Sequence, residues 1–401
     1  MIIKYLTDTD LYKFTMMQAV LHNYPSTQVV YEFKCRNGSG IPEGADPKRY
    51  LKELRAEIAH LGGLRFYQNE LDILRKLPYL TSDFIDYLYM FQLNPSDNVT
   101  VWIEEDELRI RISGTWLSTI LYEVPILAIV SELHSKYSGV MAGEMALIKR
   151  FDEKFNKLRN TFHADDLDKF KYADFGTRRR WSAESHEQLI DHIMDNELDN
   201  TFVGTSNVRI AGIYGLKPIG TMAHEWIQAH QQLNVRLIDS QKEAFNIWVK
   251  EYQGDLGIAL SDCVGFDAFL RDFNMFYSKL FDGCRHDSGT PIGWCANLID
   301  HYNNLGIDPK TKTAVFSDGL NFESAANIFT KFLGDIKMSF GIGTNLTNDI
   351  SDDYIPPAIV IKMVYCNDWP VAKISDSPGK GMCEDEEYLS YLKKVFQIKE
   401  K

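Results

Sequence analysis

The sequence predicts an α/β fold in which parallel strands close, or nearly close, into a barrel. Three observations predict it. From about residue 170, short apolar runs end in small polar residues and lead into helical stretches. The unit recurs in FKYADFGT, NTFVGTSN, KPIGTMAH, LGIALSDC, GCRHDSG, TAVFSDGL and MSFGIGTN. Between these runs, EWIQAHQQ, QKEAFNIWVKEY, GWCANLIDHYNNL and ESAANIFTKFL read as helices. Strand–loop–helix units in such number indicate a parallel sheet and favour a barrel, although periodicity alone does not separate a barrel from an open sheet. Finally, the strand ends carry Gly, Ser, Thr, Asp, Arg and His, and barrel sites lie at those ends.

The rest of the chain follows in order. Residues 9–24 have helical periodicity behind an acidic start at Asp8 and Asp10. VVYEFKCR (29–36) reads as a strand, and 48–91 carries two or three amphipathic helices. VTVWIEED and LRIRISGTW (99–116) read as a hairpin with a polar turn. LSTILYEVPILAIVSEL (117–133) is the most apolar stretch, but Glu123, Pro125 and Glu132 make it a buried helix rather than a membrane span. AIVIKMVYCNDWPVAKIS (358–375) reads as two strands around an Asn-Asp turn, placed to rejoin the N-terminal part, and a charged helix follows.

A net charge of −13 argues against duplex nucleic acid or an anionic membrane as partner. Anions must then be bound by local basic clusters. The N-terminus lacks the pattern of a signal peptide. The six cysteines form no CxxC pair, which suits a reducing, cytoplasmic setting and gives no zinc signature.

Four constellations carry candidate chemistry. In DFGTRRR (174–180), Arg178, Arg179 and Arg180 follow a strand end. Consecutive residues of a helical turn diverge, so at most two reach one ligand and the third is expected to pair with a carboxylate. Guanidinium forks suit carboxylate or phosphate, and Phe175 can stack on a flat ligand. The bland alternative, a solvated basic helix start, opposes the macrodipole. In SFGIGTN, Gly341, Gly343 and Thr344 offer a phosphate-binding turn, or a plain tight turn. FSDGLN adds Ser317, Asp318 and Gly319 on the preceding strand end. In RHDSG, Arg285 and Asp287 can face one ligand while His286 points away. Asp262 in LSDC is a second metal or hydroxyl candidate, or a capping residue. In GTMAHEW, His224 and His230 do not have the HExxH spacing; His224 is singled out because it shares a rim with the anion candidates.

Together these residues resemble the nicotinate phosphoribosyltransferase family, through TDLYKFTMMQAV, YEFKCR, DFGTRRRWS, GTSN, GTMAHEW, SDC, RHDSG, FSDGL, SFGIGTNL and VAKISDSPGK. The resemblance implies an irregular (β/α) barrel, residues 136–357, plus a smaller α/β domain formed by the N-terminal and C-terminal segments, 1–135 with 358–401. It implies a homodimer with shared active sites, and the joining of nicotinate to 5-phosphoribosyl 1-pyrophosphate to give nicotinate mononucleotide and pyrophosphate. ATP is co-substrate and Mg²⁺ is required. Phe175 would cover one face of the pyridine ring and Tyr12 of the partner subunit the other. Arg178, Arg179 and Arg285 would hold the carboxylate and pyrophosphate, Asp287 and Asp262 the sugar or metal, and Ser317, Gly319, Gly341, Gly343 and Thr344 the 5′-phosphate. His224 would be phosphorylated by ATP. Ser206, where the nicotinamide-using relatives carry an Asp, implies preference for the acid over the amide. Nicotinamide or quinolinate on the same scaffold is the alternative, with a non-catalytic nucleotide-binding regulator behind it. One departure is Thr290, in DSGTP where the family has DSGDP.

Overall fold

Alternation in QVVYEFKC buries Val29, Tyr31 and Phe33 on one face of β1 (Gln28–Cys35). β2 (Val99–Glu104) and β3 (Glu107–Thr115) form the expected hairpin, turning at Glu105 and Asp106, both at positive φ. The repeated units then supply β4 (Tyr172–Asp174), β5 (Phe202–Thr205), β6 (Ile258–Leu260), β7 (Gly283–His286), β8 (Thr313–Phe316) and β9 (Lys337–Ile342). β10 (Ile359–Cys366) and β11 (Trp369–Pro370) reverse at Asn367–Asp368, again at positive φ. This computed structural model describes residues 1–141, 145–196, 199–377 and 381–398.

Two sheets result. The antiparallel one, ordered β11–β10–β1–β3–β2, joins both ends of the chain, as the 358–375 segment suggested. The parallel one is ordered β5–β4–β9–β8–β7–β6. The expected closure is corrected here: among the described residues no ladder joins β5 to β6. KPIGTMAH, read as a strand, runs irregularly through that gap. Ile219 N–H donates to Thr205 O (2.9 Å) and Thr221 Oγ1 donates to Ile258 O (2.9 Å), so the segment bridges the two edges without a regular ladder. Pro218 has no N–H to give one.

One core runs beneath both sheets, including the stacked rings of Phe170, Phe340 and Phe316. The helical stretch Trp116–Tyr137 is long and apolar enough to cross a membrane by composition, yet 89% of its most apolar window is buried in the fold. After β11, residues 371–377 strap across the loops that follow β6 and β7. Ile374 N–H donates to Cys263 O (2.8 Å), Asp376 N–H to Ser288 Oγ (3.1 Å), and Gly289 N–H to Ser377 Oγ (2.9 Å). Pro378, Gly379 and Lys380, the end of the KISDSPGK motif, lie outside the described residues. A small second cluster, with Val264, Ala372, Leu392 and Phe396, seats the helix Glu386–Val395.

Candidate active site

The C-terminal ends of the parallel strands surround a single cavity. β4 ends at Asp174, whose carboxylate fixes the next turn: Oδ1 accepts from Gly176 N–H (2.8 Å), and Oδ2 from Thr205 Oγ1 and His186 Nε2 (both 2.6 Å). That turn sends the Phe175 ring to the cavity wall. Gly341 is the seat of this ring. A Cβ there would lie 2.3 Å from Phe175 Cδ2, and Gly341 does not border the cavity. Its expected role as a phosphate ligand is therefore corrected to one of packing.

Tyr12 borders the same cavity from the helix Leu11–Asn23, its hydroxyl buried and without a partner among the described residues. This Tyr12 comes from the same chain as the cavity, whereas the resemblance implied the partner subunit's. The cause is local: residues 7–11 thread alongside the end of β5. Leu11 N–H donates to Ser206 O, Val208 N–H to Thr9 O and Arg209 N–H to Thr7 O, each at 2.9 Å.

The three arginines diverge as expected. Arg180 is 1% exposed and turns inward; its guanidinium donates to Asp8 (2.7 and 2.8 Å) and Glu132 (2.8 Å). Burial would raise the Asp8 carboxyl, but Arg180 outweighs it and holds the group at about 2. Arg178 and Arg179 border the cavity. Arg178 reaches Glu123 only at 3.4 Å, and Arg179 Nε donates to the Ile359 carbonyl (2.9 Å). Arg285, on β7, donates to Met222 O (3.2 Å), and its buried Nε has no partner among the described residues. Asp287 accepts from Ser317 Oγ (2.8 Å) and, despite burial, is held at about 2, chiefly by Arg285.

His224 opens the helix His224–His230 and borders the cavity. Its Nε2–H donates to Asp262 Oδ1 (2.8 Å), with Asp287 Oδ2 at 3.6 Å, while Nδ1 faces the Lys362 ammonium at 3.5 Å. Burial, reinforced by Lys373, pushes the imidazole down to about 4, so it is neutral near pH 7 with its lone pair on Nδ1. Asp262 is well below the usual carboxylate range: burial opposes this, and His224 and Lys373 outweigh it. Its second oxygen accepts from Ser288 Oγ (2.6 Å) and Lys373 Nζ (2.8 Å). Asp262 does not border the cavity and its oxygens are engaged. In this arrangement Asp262 acts on His224, orienting its ring. His224, Asp262 and Asp287 bring ligand atoms within 4.8 Å of one another, and of the three His224 and Asp287 border the cavity.

At the far end, Ser317, Gly319, Gly343 and Thr344 border the cavity together with Asn345. Gly319 needs its φ of 60°, and the short helix Thr344–Thr347 begins here, its first N–H groups free of intrahelical partners. Thr290 is exposed and away from the cavity, so the departure at that position leaves the wall unchanged.

Sequence reasoning missed Asp10, Glu123, Asn345 and Lys362, all of which border the cavity. The signals were an acid inside an apolar helix for Glu123 and a lone lysine inside IVIKMV for Lys362. Asp10 accepts from Ser206 Oγ (2.8 Å), so an acid stands beside Ser206 after all. Burial pushes the Asp10 carboxyl up, and Arg178 opposes the shift.

Comparison with known proteins agrees over the whole chain. Residues 170–400 match the nicotinate phosphoribosyltransferase (NAPRTase) family and residues 7–131 match the NAPRTase N-terminal domain. Nicotinate phosphoribosyltransferase 2 of Pseudomonas aeruginosa is 50% identical over 397 residues, covering 99% of this chain and 98% of that protein. The nicotinate phosphoribosyltransferase of Burkholderia mallei is 49% identical, covering 99% and 98%. The crystal structure of the Vibrio cholerae nicotinate phosphoribosyltransferase superposes with a TM-score of 0.94 at 40% identity, covering 100% of this chain and 95% of that one. The Porphyromonas gingivalis structure gives 0.89 at 34%, covering 99% and 100%. The chain belongs to the nicotinate phosphoribosyltransferase family.

Proposed function

We propose that the chain transfers the 5-phosphoribosyl group of 5-phosphoribosyl 1-pyrophosphate to nicotinate, forming nicotinate mononucleotide for NAD biosynthesis, with ATP hydrolysis coupled through His224. The observation that carries this reading is a single cavity bounded by an aromatic pair, three arginines and two glycine-bearing strand ends. Phe175 and Tyr12 grip the pyridine ring, a stack adding roughly 0.5–1.5 kcal/mol per pair beyond burial. Arg178 or Arg285 takes the carboxylate. Gly319, Gly343 and Thr344 hold the 5′-phosphate, with Ser317 beside them.

In the transfer, the ring nitrogen forms the bond to the anomeric carbon as the carbon–oxygen bond to pyrophosphate breaks. Positive charge grows on the sugar and negative charge on the leaving group. Asp287 stabilises the first and the arginines the second, in a site where such groups act strongly because they are fixed in advance. The residues fit Mg²⁺ held by the Asp287 carboxylate and by substrate phosphates, as that ion prefers one or two carboxylates and phosphate oxygens. When bound it would neutralise the pyrophosphate.

For ATP, the Nδ1 lone pair of His224 forms a bond to the γ-phosphorus while the bridging oxygen leaves with ADP. Asp262 on Nε2–H stabilises the charge that develops on the ring, and Lys362 faces the incoming phosphoryl group. Water later cleaves the nitrogen–phosphorus bond. The free, unpaired state of the cysteines supports a reducing, cytoplasmic setting.

The test is incubation with labelled nicotinate, 5-phosphoribosyl 1-pyrophosphate and Mg-ATP, with mass analysis of products and enzyme, for wild type and His224→Ala. Nicotinate mononucleotide and a phosphorylated wild type are expected, with ATP stimulation lost in the variant. Unchanged stimulation by ATP in His224→Ala refutes the coupling. Equal turnover of nicotinate and nicotinamide by the wild type refutes the substrate assignment.

A further inference from the structure

The charged side chains bordering the cavity nearly cancel. Asp10, Glu123, Glu225 and Asp287 oppose Arg178, Arg179, Arg285 and Lys362. A site for an anionic ring acid needs a surplus of positive charge, and part of it stands behind the wall. Lys13 does not border the cavity and is fully buried, yet its ammonium touches groups that do. It lies 2.6 Å from Glu123 Oε2 and 2.5 Å from Glu225 Oε2. It also lies 5.6 Å from the Tyr12 ring centroid and 5.9 Å from that of Tyr31. Glu123 Oε1 is the 3.4 Å neighbour of Arg178, and Glu225 Oε1 accepts from Trp116 Nε1 (3.3 Å). One buried cation thus links the ring slot, the carboxylate beside Arg178 and the residue following His224.

We propose that Lys13 is a positioning residue for acid selectivity: by engaging Glu123 and Glu225 it keeps Arg178 free to receive the ring carboxylate of the substrate. Without the ammonium, Glu123 has no competing partner and closes on Arg178. Glu225 becomes a buried carboxylate without a cation, held only by Trp116 Nε1 and facing an incoming anion. Both changes work against nicotinate and spare a neutral ring. The inference rests on the nicotinate reading above, which wild-type turnover tests separately.

The experiment is steady-state kinetics of wild type, Lys13→Met, Lys13→Arg and the double variant Lys13→Met/Glu123→Gln, with nicotinate and nicotinamide as competing rings and thermal unfolding as the fold control. In Lys13→Met, KM for nicotinate rises about tenfold or more and the acid-to-amide ratio of kcat/KM falls by a similar factor, while kcat and KM for 5-phosphoribosyl 1-pyrophosphate change less. Lys13→Arg retains the charge and stays within about threefold of wild type. The double variant removes one positive and one negative charge and recovers much of the lost affinity, which general loosening of the fold would not allow. A folded Lys13→Met with wild-type KM for nicotinate and an unchanged acid-to-amide ratio overturns the proposal. If Lys13→Met does not fold, the double variant decides: KM near wild type supports the proposal, and KM raised about tenfold overturns it. A wild type that does not convert nicotinate fails the functional reading instead.

Discussion

Arg180 and Arg178 are two residues apart and have opposite surroundings. Arg180 is enclosed by Asp8 and Glu132, in charge-assisted bonds of 2.7 to 2.8 Å. Arg178 has one long contact to a carboxylate already claimed by Lys13, and Arg285 keeps a buried Nε without a partner among the described residues. A structural arginine has its donors satisfied within the fold; a binding arginine keeps donors in reserve for its ligand, at some cost in stability. Saturation, more than sequence position, separates the two kinds.

The contrast breaks most decisively at Arg180. Arg180→Met leaves Asp8 and Glu132 buried without their cation and should cost about 3–5 kcal/mol in chemical denaturation. The sign with pH follows from Asp8, whose carboxyl is lowered from 3.8 to about 2: its contribution is present above 3.8 and is lost as pH falls toward 2, a loss that Arg180→Met should largely abolish. Arg285→Gln should do the reverse, lowering kcat/KM by roughly 10²–10³ with unfolding midpoints near wild type.

Smaller effects sharpen the picture. Ser206→Asp adds a second acid beside Asp10 and should raise KM for nicotinate about tenfold while sparing nicotinamide. Gly341→Ala pushes on the Phe175 ring and should weaken nicotinate binding by about 2- to 12-fold, the worth of one stacking contact, with little change for 5-phosphoribosyl 1-pyrophosphate. In the pH profile, with His224 as the proposed nucleophile and lowered to about 4, the acid limb of turnover with ATP should fall well below 6.5, since the ring stays neutral down to that range. Lys362, lowered by burial to about 8, should set the alkaline limb, as its ammonium is lost above that pH. An acid limb near 6.5 would show that His224 is solvated during turnover.

Much of this was legible because strand ends announce themselves. Phe175, Arg178, Ser206, His224, Arg285, Asp287, Ser317, Gly319 and Gly343 each follow an apolar run at a polar stop, and all of them border the cavity. Pairing of the third arginine followed from the divergence of successive residues on a turn. What stayed hidden is tertiary. Gly341 has the look of a phosphate loop because a glycine chosen for close packing and one chosen for ligand approach look alike in sequence. Barrel closure was over-read because KPIGTMAH has the composition of its neighbours, and only the pairing pattern shows a bridging segment. Asp10, Glu123 and Lys362 arrive from elements far from the strand ends, so local pattern cannot place them.

β1 stands between β3 and β10, and its partner β10 lies more than 300 residues downstream. During translation, therefore, β1 waits as an unpaired edge while nearly the whole polypeptide is made, open to the wrong neighbour. β10 also delivers Lys362, and the strap behind it delivers Lys373. No ribosome-bound intermediate lacking those segments can assemble the finished pocket, so activity should switch on late in synthesis rather than grow with chain length.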